Sequence, residues 1–201
     1  MTYHDEIWAS VPADRTIDEA ALAWAIETVE SAGARPRVLD LGCGDGRIAG
    51  LLAARGAEVT GVDPSETALE RARAAHPDLA FMLPANDGTI PLADGSFDVA
   101  LAVNVLEHVA DTQRLMSEVR RVLAPGGRLA IAVPYHGRVA GAWTALRSFE
   151  REHDPLEPTL RFYTRRSLAA LLAEFGYGEV ELAAAGRWPL FRRTLLARAR
   201  R

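Results

Sequence analysis

The residues best suited to ligand chemistry lie in the segment VLDLGCGDG at residues 38–46. Its apolar first half predicts a short buried strand. The glycines that follow let the backbone turn tightly and let a ligand approach it closely. We therefore expect a nucleotide-like ligand to lie across the junction between this strand and the next helix.

Two carboxylates, Asp40 and Asp45, flank this turn. Dinucleotide sites use the spacing GxGxxG and hold a pyrophosphate at the helix N-terminus, whereas the spacing here is GxGxG. Because two carboxylates would repel a pyrophosphate, the pattern favours a phosphate-free ligand with cationic groups. S-adenosylmethionine, which carries an ammonium and a sulfonium, fits that description.

Asp63 is a third acid at a position suited to a nucleoside. It follows a second predicted strand, Glu58 to Val62, roughly twenty residues past the glycine turn. In nucleotide-binding α/β proteins, an acid at this place accepts both ribose hydroxyls. NAD and S-adenosylmethionine both contain that ribose, so Asp63 predicts a nucleoside without choosing between them.

The elements that must position these acids alternate between strands and helices. The patterns predict helices over 17–32, 47–55, 66–75 (capped by Ser65), 111–123 and 164–175 (capped by Thr164), and strands over 37–41, 58–62, 79–83, 97–103, 128–133, 178–185 and 190–197. This alternation predicts an α/β fold with a mainly parallel sheet and helices on both faces. The last two strands have no helix between them, so we expect them to form an antiparallel hairpin at an edge.

Four motifs, in order, resemble those of class I S-adenosylmethionine-dependent methyltransferases. The resemblance is to the type 11 group, which includes the ubiquinone and menaquinone methyltransferases. The motifs are VLDLGCGDG, VTGVDPS, IPLADGSFDVALAVNVLEHV and LMSEVRRVLAPGGRLAIAVP, and they span nearly half of the chain. The resemblance implies a Rossmann-like seven-stranded sheet of order 3-2-1-4-5-7-6 with strand 7 antiparallel.

The resemblance also implies roles for single residues around S-adenosylmethionine. Its methionine part would be held by the first turn, at Asp40, Gly42, Cys43 and Gly44. The backbone carbonyls of Asn104 and Val105, after the fourth strand, would accept from its ammonium group.

The nucleoside half is assigned in the same way. Asp63 would bind the ribose, and Pro64 would pack under the adenine. Asn86 stands where the family usually places an acid for the adenine amine, and Asp87 follows it. The resemblance therefore leaves the contact with the base open between Asn86 and Asp87.

Methyl transfer to a hydroxyl usually needs a general base, and histidine is the commonest choice. Three histidines are candidates: His108 just past the fourth strand, His136 after the fifth, and His153 beside Asp154. For each of them a structural or surface role is the competing interpretation. We expect Glu107 to be structural.

Aromatic residues could cover an apolar acceptor. They are Tyr3 and Trp8 near the start, with Trp143, Phe149, Phe162 and Tyr163 in an irregular stretch. Core packing is the competing interpretation, and it is favoured for Phe149 and Phe162. We divide a single domain into 1–36 (N-terminal lid and helix), 37–134 (cofactor-binding core), 135–163 (acceptor-side insertion) and 164–201 (C-terminal helix and hairpin).

Composition excludes several classes of function. The net charge of -4 and pI near 5.8 argue against a general nucleic-acid binder. Cys43 is the single cysteine, so no intrachain disulfide forms. No cluster of metal ligands stands out. The start lacks the charged and apolar regions of a signal peptide, and no apolar run has the length of a membrane span. We expect a cytoplasmic enzyme.

Three alternatives stay open beside a small-molecule methyltransferase. The first is an RNA or protein methyltransferase that uses the arginine-rich tail; against it stand the net charge and the absence of a [DN]PP[YF] motif after the fourth strand. That tail is also explained as a solvated edge strand protected by charge. The second is a non-catalytic S-adenosylmethionine-binding module, and the third is an NAD-dependent oxidoreductase.

Overall fold

The computed structural model describes residues 3–12, 16–135, 137, 141, 146, 159–186 and 193–201. Seven strands form one sheet: β1 (Arg37–Leu41), β2 (Glu58–Val62), β3 (Ala80–Met82), β4 (Phe97–Val103), β5 (Leu123–Pro134), β6 (Gly178–Ala185) and β7 (Thr194–Arg200). The helices are α1 (Tyr3–Ser10), α2 (Glu19–Glu30), α3 (Arg47–Ala53), α4 (Glu66–Ala75), α5 (Thr112–Val122) and α6 (Arg165–Glu174), with a 3₁₀ turn at Leu106–His108.

The sheet has the order β3-β2-β1-β4-β5-β7-β6, as predicted. The strands from β3 to β5 pair in parallel, whereas β7 pairs antiparallel with both β5 and β6. The carboxyl ends of β1, β2 and β4 therefore meet at one edge, and ligands bind at that edge in open α/β sheets.

Both faces of the central strands are buried. Leu39 and Leu41 of β1 pack into the core cluster that also contains Met116 of α5, and Val38 packs into the cluster on the other face with Leu52 of α3. Each fully buried leucine contributes about 1.5–3 kcal/mol relative to an exposed one. Two-sided burial explains why the neighbouring residues Val38 and Leu39 of β1 are both apolar, although their side chains point to opposite faces.

The helices begin where the sequence places caps. Ser65 Oγ accepts a hydrogen bond from Ala68 N at the start of α4. Thr164 and Ser167 form a reciprocal capping box at the start of α6. These caps satisfy backbone N–H groups of the first helical turn, which have no partner within the helix.

The last two strands pair antiparallel at an edge of the sheet, as predicted, but the bounds of the last strand differ. The last strand begins at Thr194 rather than near residue 190 and runs to Arg200, and it lies between β5 and β6. The interpretation of the arginine-rich tail as an edge strand is therefore wrong, because β6 is the edge. Arg198 instead lies 4.2 Å above the Trp24 ring and forms an ion pair with Glu27 at 3.0 Å. A cation over an indole face is attracted by the ring quadrupole.

The edge strand β6 is interrupted by a bulge. Gly178 pairs with Arg200 and Glu181 with Arg198, so two residues of β6 face one residue of β7. Within the bulge, Glu179 has a left-handed backbone with φ of 48°. Among the helices of the described part of the chain, none is long and apolar enough to cross a membrane.

Candidate active site

A cavity of about 960 Å³ opens at the carboxyl edge of the sheet. The turns after β1, β2 and β4 form one side of it, and α1 forms the other. Ligand pockets in proteins typically measure about 300–1,000 Å³. This cavity is therefore at the upper end of that range.

Asp40, at the end of β1, lines the cavity and is only 2% exposed. Burial and, to a smaller extent, the nearby Asp63 carboxylate together raise the pKa of its carboxyl to about 7. Its Oδ2 atom has no hydrogen-bond partner among the described residues. A buried carboxylate without a donor is costly. The site therefore suits a ligand that brings a cationic donor to Asp40.

Asp63 connects the turn after β1, which contains Gly44, with the turn after β2, which contains Pro64. One oxygen accepts from the backbone N–H of Gly44 at 2.9 Å, and the other accepts from the backbone N–H of Ser65 at 2.9 Å. Asp63 is buried and lines the cavity. Gly44 does not line it and serves behind the wall as a donor to Asp63.

Asp45, predicted to flank the ligand together with Asp40, does not line the cavity and pairs with Arg47 at 3.4 Å between Nε and Oδ2. The two buried carboxylates that line the cavity are Asp40 and Asp63. Arg47, which the sequence analysis did not single out, lines the cavity as well.

Gly42 and Val105 meet across the floor of the cavity. Gly42 has φ of +61°, and a Cβ placed on it would lie 2.6 Å from Val105 Cγ2. Asn104, before Val105, also has a left-handed backbone with φ of 54°. Glycine is the residue that tolerates both the close approach and this conformation. Cys43 lies beside them, buried, and lines the cavity too.

Asn86 and Asp87 both lie at the rim. The Asp87 carboxylate accepts from Thr89 N at 2.9 Å and from Arg114 Nη2 at 3.1 Å. The hydrogen bonds from Thr89 and the charge of Arg114 lower the pKa of Asp87. Asp87 therefore already has local partners.

The 3₁₀ turn after β4 carries His108 into the cavity wall. Its Nε2 lies 3.7 Å from Oε1 of Glu107, whose side chain is 1% exposed. Burial raises the pKa of the Glu107 carboxyl. The backbone oxygen of Glu107 accepts from Leu160 N at 2.7 Å and from Arg161 N at 3.1 Å. This turn thus places His108 in the cavity wall, and its backbone bonds to the segment that precedes α6.

Residues 39–131 match the family model described as a methyltransferase domain. Over these residues, nearly half of the chain, the protein is similar to methyltransferase domains. This confirms the resemblance predicted from the four motifs, and the sheet order confirms the predicted fold. The cavity lies at the carboxyl edge of the Rossmann-like sheet, which is where ligands bind in open α/β sheets.

Proteins similar to this chain carry methyltransferase names. A demethylmenaquinone methyltransferase of Beutenbergia cavernae is 41% identical over 112 residues, which cover 54% of this chain and 46% of the relative. A probable S-adenosylmethionine-dependent methyltransferase of Mycobacterium tuberculosis is 33% identical over 160 residues, which cover 77% of this chain and 53% of the relative. The chain thus spans about half the length of these two curated relatives.

A solved structure extends the likeness over almost the whole methyltransferase fold. The S-adenosylmethionine-dependent methyltransferase of Mesorhizobium loti superposes with a TM-score of 0.69 at 27% identity. The superposition covers 92% of this chain and 99% of the other.

The opposite wall of the cavity comes from α1. No helix was predicted over these residues, which were expected to be part of an N-terminal lid. Tyr3, Ile7 and Trp8 of α1 line the cavity. Ile7 and Trp8 follow Tyr3 by four and five residues, and this spacing is a signal that could have predicted a helix with one apolar face.

Other aromatic predictions have different outcomes. Tyr163 is a core residue that donates to Leu106 O at 3.3 Å, so it does not cover an acceptor. Phe162 is 50% exposed, so the favoured interpretation of core packing is wrong. Four of the predicted site residues lie outside the described part of the chain: His136, His153, Trp143 and Phe149. Within the described part, no group of three or more potential ligands is arranged to hold a metal ion.

Proposed function

We propose that the chain transfers the methyl group of S-adenosylmethionine to a small-molecule acceptor. The acceptor class is a quinone, phenol, sugar or natural-product intermediate, methylated on oxygen or carbon. One observation carries the proposal: the buried Asp40 carboxylate faces the cavity with an oxygen that lacks a donor. An ammonium group satisfies that oxygen, whereas a pyrophosphate would be repelled by it.

The cofactor position follows from the same wall. Asp40 binds the ammonium together with the backbone carbonyls of Asn104 and Val105. Gly42 and Cys43 border the methionine chain, because Gly42 leaves the floor open. These assignments are supported by the cavity lining.

The nucleoside part lies along the turn after β2. Asp63 accepts from the ribose hydroxyls with lone pairs that its two backbone bonds leave over, since a carboxylate has about four acceptor sites. Pro64 packs under the adenine. Because Asp87 already has Thr89 and Arg114 as partners, we assign the contact with the adenine amine to Asn86.

The acceptor occupies the side of the cavity between the 3₁₀ turn and α1. Ile7 and Trp8 of α1 and Val109 and Leu160 opposite give this side an apolar lining. Such a lining favours a flat or apolar acceptor, and it removes water from the reacting groups. The name of the demethylmenaquinone methyltransferase relative supports the same class.

When bound, S-adenosylmethionine would supply an electrophilic methyl group, with S-adenosylhomocysteine, a neutral thioether, as the leaving group. The residues of the chain align the acceptor and take up its proton. We assign proton uptake to His108, because it lines the cavity and its Nε2 lies 3.7 Å from the buried Glu107. A positioned histidine base accelerates such reactions about 10²–10⁴-fold.

The test begins with cofactor binding by isothermal titration calorimetry. We expect wild-type protein and Glu58→Gln, an exposed control, to bind S-adenosylmethionine and S-adenosylhomocysteine but not NAD. Asp40→Ala should bind the sulfonium cofactor at least about tenfold more weakly, which is the expected loss of one charge-assisted hydrogen bond. Binding of NAD in place of S-adenosylmethionine would refute the proposal.

A second measurement separates an enzyme from a binding module. Wild-type protein and methyl-labelled cofactor are incubated with panels of quinones, phenols and sugars, and labelled products are counted. We expect label in at least one apolar phenol or quinone. Tight cofactor binding with label in none of the small molecules, but label in RNA or protein, would assign the macromolecular alternative.

A further inference from the structure

The helix α1 carries an acid that is buried against a different helix. Asp5 is 8% exposed and is the one buried residue of α1. Its Oδ1 atom accepts from Ser65 Oγ at 2.9 Å and from Thr67 N at 3.2 Å. A buried carboxylate is stable only with such donors. Asp5 therefore acts as a second cap for α4, supplied from 60 residues away.

Ser65 connects this cap to the cavity. Its hydroxyl donates to Asp5 and accepts from Ala68 N, while its backbone N–H donates to Asp63. Asp63 lines the cavity on the nucleoside side. The carboxylate of Asp5 is thus attached to the same turn that presents Asp63.

A second contact holds the end of the N-terminal segment on α4. Arg71 Nη1 donates to the backbone oxygen of Val11 at 3.0 Å. Val11 also lines the cavity. Both anchors, Asp5 and Val11, attach to α4. The side chains of Ile7 and Trp8 between them line the cavity, as does Tyr3, which precedes Asp5.

Apolar side chains of α1 are not fully buried. Tyr3 is 53% exposed, and Ile7 and Trp8 are partly exposed. A helix of eight residues is not stable alone, so the polar anchors on α4 contribute to the position of this wall.

We propose that Asp5 is a positioning residue for the reaction. By bonding to Ser65 and Thr67, it holds the α1 wall against the nucleoside turn, so that ligands in the cavity are retained and screened from water. The retention half of this inference rests on the proposed function, whereas the docking of α1 through Asp5 does not.

The experiment compares three variants with wild-type protein. Asp5→Ala removes both bonds, Asp5→Asn keeps an amide oxygen in place of Oδ1, and Glu6→Ala changes the exposed neighbouring acid on the same helix. Hydrogen exchange of the amides of residues 3–10 is followed by mass spectrometry without ligand. The dissociation rate of S-adenosylhomocysteine is then measured by stopped flow, and exchange in β4 reports whether the core stays folded.

We expect Asp5→Ala to speed exchange in α1 and dissociation of S-adenosylhomocysteine by about tenfold, the effect of losing bonds to a charged acceptor. Asp5→Asn and Glu6→Ala should stay within about threefold of wild-type protein. A fourth variant, Arg71→Ala, leaves Asp5 intact and removes the contact with Val11. It should act in the same direction with a smaller effect.

Two results would overturn the inference. Equal exchange in Asp5→Ala and Glu6→Ala would show that Asp5 does not hold α1. Faster exchange with unchanged dissociation would show that α1 does not retain the ligand. If wild-type protein fails to bind S-adenosylhomocysteine, the proposed function and the retention half fail together, and the exchange comparison still decides whether Asp5 holds α1.

Discussion

The two sides of the cavity are assembled in different ways. On the nucleoside side, Asp63 bonds to backbone N–H groups of Gly44 and Ser65, all within one β-α-β segment. On the acceptor side, the wall is held by contacts between distant parts of the chain, such as Asp5 with Ser65 and Leu160 with Glu107. A local sequence motif therefore describes the first side, and only the tertiary structure describes the second.

This difference separates two kinds of sequence tolerance. The nucleoside side uses backbone geometry that few residue types can adopt, as the left-handed Gly42 shows. The acceptor side needs apolar surface and a few polar anchors, which many sequences can supply. Changes on the first side should abolish cofactor binding, and changes on the second should alter turnover and acceptor choice.

The largest expected effect is on the nucleoside side, from Asp63→Ala. The change leaves the N–H groups of Gly44 and Ser65 buried without an acceptor, at about 1–3 kcal/mol each. We expect the free energy of unfolding to fall by about 2–4 kcal/mol and S-adenosylhomocysteine affinity to fall roughly 100-fold. Urea unfolding and calorimetry measure the two quantities. An unchanged free energy of unfolding would contradict the account of Asp63 as the joint between the two turns.

His108→Ala tests the acceptor side. We expect kcat to fall about 100-fold, the usual contribution of a general base, while the dissociation constant for S-adenosylhomocysteine changes less than about threefold. His76→Ala, which lies away from the cavity lining, is the matched control. Normal turnover in His108→Ala would remove His108 as the base and leave His136 and His153 as candidates.

Asp40→Asn separates stability from binding on the nucleoside side. The pKa of Asp40 is raised from its ordinary 3.8 to about 7 in the folded protein. Its contribution to stability is therefore full below pH 3.8 and is lost as pH rises through about 7. We expect Asp40→Asn to unfold at higher temperature than wild-type protein at pH 8, with the difference shrinking toward pH 4, and to bind cofactor about tenfold more weakly.

Asp98→Asn is the control of opposite sign for this pH series. The hydrogen bond from Arg37 lowers the pKa of Asp98, so its stabilising contribution is present at neutral pH and is lost in acid. We expect this variant to be less stable than wild-type protein at pH 8, with the difference shrinking as the pH falls. A higher melting temperature for Asp98→Asn at pH 8 would contradict the assignment.

The smallest expected effect concerns packing behind the nucleoside side. A Cβ placed on Gly50 of α3 would lie 2.2 Å from the His76 ring, so Gly50→Ala should cost about 1–2 kcal/mol. In a His76→Ala background the ring is absent, and the same change should stabilise α3 by up to about 1 kcal/mol. Chemical denaturation of the four proteins gives the cycle. The same sign in both backgrounds would disprove the contact.

The sequence predicted the nucleoside side closely because its determinants are local. The bounds of β1, β2 and β4 match the structure, and Ser65 caps α4 as expected. Apolar periodicity and a cap are readable within a few residues. The sequence placed Asp63 correctly, but it could not show that Asp45 lies outside the cavity lining, where it pairs with Arg47.

The acceptor side was predicted poorly for the opposite reason. Helix α1 is short, and its one buried residue is an acid whose partners lie on α4. Tyr163 has the composition of a pocket residue, but tertiary packing places it in the core. The late start of β7 likewise follows from its pairing with β5, which no window of sequence contains.

The bulge in β6 has a consequence for how this protein behaves at high concentration. An outermost strand offers free amides and carbonyls on which another molecule could add a strand of its own. Here Glu179 bends the chain out of extended geometry, and Glu179 and Glu181 form ion pairs with Arg200 and Arg198 of the neighbouring strand. An incoming strand would lose register at the bulge within a few residues. The bulge therefore disfavours the addition of a further strand to this edge.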